Sequence, residues 1–149
     1  TLASFYLYKK NPAMSANVLE NAISEDQILF DTKNAKLLSD SWLFAKERIK
    51  SLDVIEESLS LNPNEEKLVN QYVNIAFSAF EWKEVINGIR KAEQIGIEDD
   101  GKHDLMIGIA FFETKDLKNA ENSFIKASNS KKYSDQGKAW LEYLNALKG

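Results

Sequence analysis

The 149-residue chain contains no cysteine. That excludes a disulfide framework, a thiolate zinc site and a cysteine nucleophile, while leaving the redox compartment open. Its one histidine, His103, is too few for a two-histidine metal site. Two prolines, six glycines and no run rich in Pro, Gly or Ser leave no place for a collagen-like segment or a long flexible linker. No apolar run approaches the roughly 20 residues that span a bilayer, so no membrane insertion is expected. Cationic excess is missing too. The 19 Lys and Arg face 23 Asp and Glu, for a net charge of −4 with both signs mixed along the chain. The electrostatic footprint of a nucleic-acid binder is therefore absent, and no nucleic-acid partner is expected.

What is present is apolar material, 44% of residues, enough for one domain with a real core. The chain also repeats itself at a period of about 35 residues, the mark of a solenoid. Ile107, Gly108 and Phe111, then Ala120, Phe124 and Ala127, occupy matching helical places. One period earlier stand Tyr72, Val73 and Ala76, then Val85, Ile89 and Ala92. The period before holds Leu38, Ser39 and Trp42, then Ser51, Ile55 and Ser58, and the first holds Leu2, Ala3 and Tyr6, then Ser15, Leu19 and Ala22. Apolar residues three and four apart make every half-repeat an amphipathic helix, and no strand alternation is sustained. Turn and capping residues at Asn11 and Pro12, Asn62 to Asn64, Gly96, Asp99 to Gly101 and Asp116 mark the breaks.

This pattern predicts helices over Leu2 to Lys10, Ala13 to Ser24, Lys33 to Lys46, Ile49 to Leu61, Glu65 to Phe80, Lys83 to Ile95, Lys102 to Thr114, Leu117 to Ser128 and Asp135 to Leu147. Gly108, Ala120 and Ala127 let two helices of a hairpin approach closely. Polar Ser39, Ser51 and Ser58 and bulkier Val73 and Val85 predict wider crossings in the earlier hairpins.

The unit resembles the tetratricopeptide repeat, a helix-turn-helix of about 34 residues. The likeness is most specific in IGIAFFETKDLKNAENSFIKA, from Ile107 to Ala127, and SLSLNP, from Ser58 to Pro63, adds the family's terminal proline. Val73, in place of a small residue, and Asp104, in place of a large apolar one, depart from it. The resemblance implies an all-α fold: a right-handed α-solenoid of helix hairpins forming a single domain, with repeats at about 1–31, 32–65, 66–100 and 101–133 and a capping helix at 134–148. Trp140 would pack on the fourth hairpin. Because the first unit opens partway through its helix, further repeats are expected upstream of Thr1. The string from Glu81 and Trp82 through Gly101, GIAFFETKDLKNAENSFIKA from Gly108 to Ala127, and KAWLEYL, from Lys138 to Leu144, also resemble the end of long tetratricopeptide proteins encoded with TonB-type energy-transduction systems of Gram-negative bacteria. That second resemblance implies a periplasmic location; without it the compartment would be cytoplasmic.

No convergent acid, base and nucleophile set is legible, so no catalytic residue, metal or cofactor is expected. Glu98 to Asp100 before Gly101 do not complete a calcium loop and read as a helix cap, with His103 a solvated residue at the helix start. Trp42 and Trp140 read as core, and Trp82 as partly exposed at a turn. What remains is the inner face of each hairpin's first helix. Projection puts Tyr8, Lys36, Asp40, Phe44, Asn70, Asn74, Phe77, Leu105, Ile109 and Phe112 on it, with Lys67 and Leu43 alongside. Apolar anchors flanked by lysines suit an extended peptide or a partner helix carrying some negative charge. The carboxylate clamp of chaperone adaptors is not matched: Lys36 fits one place, but Asp40 would repel the carboxylate and Met106 replaces a cation. The expected function is a non-catalytic protein-interaction scaffold in a TonB-linked assembly. The alternative is a structural or self-association module that forms homo-oligomers within a larger solenoid.

Overall fold

In the computed structural model, which describes residues 2–3 and 10–149, every regular element is helical. Eight helices run α1 (Pro12–Ser24), α2 (Thr32–Phe44), α3 (Arg48–Leu61), α4 (Glu66–Ser78), α5 (Trp82–Gln94), α6 (Lys102–Glu113), α7 (Leu117–Ser128) and α8 (Ser134–Lys148). The helix expected over Leu2 to Lys10 lies largely outside the described residues.

Side-chain caps set the starts of α1, α2, α6 and α7, whereas the residues before α3, α4, α5 and α8 make no such bond. Asn11 accepts from the Met14 amide with Pro12 at the first helical position, Asp31 accepts from Asn34 at 2.8 Å, and Asp116 from Asn119 at 3.2 Å. Asp99 accepts from the amides of Gly101 at 2.9 Å and His103 at 2.7 Å, so the acidic run does cap α6. Its Oδ2 also lies 3.0 Å from His103 Nδ1.

Stops follow a different rule. Lys10, Lys46, Phe80 and Lys115 all have positive φ and recur about 35 residues apart at the turn inside each repeat. At two of these turns the next amide folds back to the helix, Glu47 to the Trp42 carbonyl at 2.9 Å and Asp116 to Phe111 at 2.8 Å. This is the Schellman closure that glycine usually serves. A lysine gives no glycine signal, so α2 stops two residues short of the expected end at Lys46.

Contacts divide the chain into two compact units, residues 1–79 and 80–149, the cut falling inside the expected third repeat. In the first unit Ala16, Leu19, Ala35, Leu38 and Trp42 build the core. Trp42 donates its indole N–H to Glu20 at 2.9 Å. The α2–α3 seam is polar and tight, contrary to the wider crossing expected there. Ser39 and Ser51 are fully buried, and each hydroxyl donates to the other's backbone carbonyl, at 3.1 and 2.8 Å. Such bonds require the two backbones to approach closely. Between α1 and α2 the Ser15 and Ser41 hydroxyls meet each other at 3.0 Å, and Ser41 also donates to the Leu37 carbonyl of its own helix at 2.8 Å.

In the second unit Gly108 meets Phe124. A Cβ on Gly108 would stand 2.6 Å from that ring. Trp140 of α8 stacks on Phe124 with centroids 5.0 Å apart and planes 8° from parallel, which makes α8 the cap of the fourth hairpin. Gly137 permits this approach: a Cβ there would lie 2.5 Å from the Ser128 backbone nitrogen.

Candidate functional site

The inner-face stripes of α2 and α4 converge on one pocket of about 860 Å³ in the first unit. From α2 come Lys36, Asp40 and Leu43, spaced four and three apart on one side of the helix. From α4 come Lys67, Asn70, Gln71, Asn74, Ile75 and Ser78, and Arg48 enters from the first position of α3. Of the residues named from sequence, Lys36, Asp40, Asn70 and Asn74 therefore line one pocket, with Lys67 and Leu43 beside them. Gln71, Arg48, Ile75 and Ser78 escaped the projection. Gln71 follows Lys67 by four residues and was legible as its neighbour; Arg48 lies past a turn, on a helix whose inner face was not projected.

The pocket's charge is organised around Asp40. Its carboxylate is half-buried and accepts from Gln71 Nε2 at 3.1 Å. Burial pushes its pKa above the usual carboxylate value, and the nearby Lys36 ammonium works against that rise. Lys36, Arg48 and Lys67 are exposed at the margins. Three cations against one carboxylate leave the lining net positive in a chain that is net negative.

The other named residues stand elsewhere. Tyr8 lies outside the described residues. Phe44 is 69% exposed at the end of α2, and neither it nor the half-buried Phe77 lines the pocket. Leu105, Ile109 and Phe112 are half-buried along α6. Phe112 packs against Trp140 at 5.3 Å and Tyr143 at 5.7 Å between ring centroids, so this ring belongs to the contact with the capping helix.

A second, smaller pocket of about 530 Å³ lies in the other unit among α5, α6 and α7. Arg90 and Lys126 line it together with Glu93 and Asp104, so the charges of its lining balance. Burial raises the Asp104 pKa, Lys126 lowers it, and Asp99 and Glu93 raise it again. Among the described residues no three His, Cys, Asp or Glu side chains gather in a way that could hold a metal. No described helix is long and apolar enough to cross a membrane.

Paired helices with small residues at their seams, and a terminal helix covering the last pair, define an all-α fold of the α-solenoid class, built from tetratricopeptide-type hairpins. Among solved structures it is similar to MamA. The MamA RS-1 ArsTM double mutant matches with a TM-score of 0.76 over 99% of this chain and 81% of its own, at 13% identity. A further MamA crystal structure gives 0.62 over 84% and 71% at 17% identity, and MamA AMB-1 gives 0.68 over 84% and 67% at 14%. At such identities the likeness is one of fold. No protein-family model and no curated protein sequence matches the chain.

Proposed function

We propose that this chain is a non-catalytic interaction module that receives an extended segment of a partner protein in the pocket between α2 and α4. The observation that carries this reading is the convergence of Lys36, Asp40, Asn70 and Asn74, with Arg48, Lys67 and Gln71, around one opening of about 860 Å³. Amide side chains spaced four apart on α4 offer both a donor and an acceptor, which suits a peptide backbone, and the charged residues around them supply selectivity. A periplasmic place beside a TonB-type system belongs to the same proposal and is supported by the strings from Gly108 to Ala127 and Lys138 to Leu144. Affinity capture from a Gram-negative periplasmic extract tests both parts. Wild type should retain envelope proteins that an Asn70→Ala, Asn74→Ala variant of equal helix content releases. Equal capture by the two forms would contradict docking at this pocket.

A second reading, self-association, is favoured by large apolar side chains left in solvent. Leu29 is 77% exposed, Phe80 71% and Phe44 69%. Light scattering over a concentration series separates the two. A chain that stays monomeric at high concentration excludes self-association, whereas mass that rises with concentration supports it.

A further inference from the structure

The pocket's charges are not equally available. Asp40 is engaged twice, by the Gln71 amide at 3.1 Å and by the field of Lys36 on the preceding turn of its own helix. Lys36 and Asp40 thus offset each other within α2. Arg48 and Lys67, contributed by two other helices, have no such counter-charge, since among the described residues no carboxylate lies within ion-pair distance of either. Two uncompensated cations facing one opening form a receiver for an anion, and an arginine adds a planar fork suited to a carboxylate.

We infer that Arg48 and Lys67 receive an acidic side chain from an internal segment of the partner protein, with Asp40 held back from repelling it by Lys36 and Gln71. The inference rests on the docking reading above and names the chemistry of the segment. It also answers the objection that Asp40 raises to an anionic ligand: repulsion matters only where the carboxylate is not already compensated, and here its compensating groups are its own neighbours. Nucleic acids and anionic membranes are disfavoured as the source of the anion, because an extended polyanion meets the field of the whole chain, net −4. A short peptide senses mainly charges within about one Debye length, roughly 10 Å at 0.1 M salt.

The test is selection of random decapeptides by display on the full chain, in parallel with an Arg48→Glu, Lys67→Glu variant checked for equal helix content. Wild type should enrich sequences rich in Asp and Glu. The variant should enrich Lys and Arg instead and bind the best wild-type peptide at least about tenfold more weakly. Enrichment without charge preference, or with the same acidic preference in the variant, would overturn the assignment to Arg48 and Lys67 while leaving the docking reading standing. No enrichment over the starting pool on either form would overturn both.

Discussion

Gly108 shows how much a single small residue decides. With Phe124 carbons 2.6 and 2.7 Å from where a Cβ would sit, Gly108→Ala must displace a fully buried ring. It should cost about 1 to 3 kcal/mol by overpacking, read as a lower denaturant midpoint with unchanged slope. An unaltered midpoint would mean that the α6–α7 register is different. Asp40 offers a test with a pH signature. Because burial raises its pKa in the folded chain, folding favours its protonated form, and the penalty for its charge appears as pH rises through that raised value. Asp40→Asn keeps an acceptor for Gln71 and removes the charge. It should therefore raise the melting temperature at neutral pH, with the gain vanishing below the ordinary carboxylate range. A gain that persists undiminished in acid would contradict the burial cost. At this scale the repeated small and apolar places were legible, since Ile55, Val73, Ile89 and Phe124 are all buried as their spacing requires. The serine pairing was not, because hydrophobic periodicity carries no information on which hydroxyl meets which carbonyl across a seam.

The starts of α1, α6 and α7 were readable because Asn11, Asp99 and Asp116 cap by a mechanism tied to residue type. Ends were less so, as Lys46, Phe80 and Lys115 take positive φ where glycine would have announced it. The capping helix α8 was expected from Trp140 and Leu144, and Leu144 is indeed buried, whereas Leu147 is exposed. Missed was Gly137, whose lack of a side chain lets α8 lie against the backbone of Ser128 and Ala127. A lone glycine in a helical stretch reads as a weak spot, and only a neighbour distant in sequence shows its purpose. Gly137→Ala should lift α8 away, because backbone at 2.5 to 2.9 Å cannot yield as a flexible side chain would. The expected result is a loss of roughly 1 to 3 kcal/mol with a red shift of Trp140 emission as its stack on Phe124 opens. Stability loss without any spectral change would place the strain elsewhere.

For the whole molecule, composition and a period near 35 residues were enough to reach an all-helical solenoid, and the likeness to MamA at a TM-score of 0.76 supports that fold. The division between Ala79 and Phe80 was not legible, because the repeat pattern runs through it without a break in composition. Six of the ten residues lining the pocket were visible beforehand, since Lys36, Asp40, Leu43, Lys67, Asn70 and Asn74 follow from projecting first helices. Arg48 lies beyond the reach of that projection, and with it the net positive charge of the lining. Hydrogen exchange of the full chain with and without a display-selected peptide tests the central claim most directly. Docking in the pocket predicts slowed exchange concentrated in α2, α4 and the first turn of α3, with the rest of the chain unchanged. Protection confined to α6–α8, or none at a saturating concentration of peptide, would contradict it.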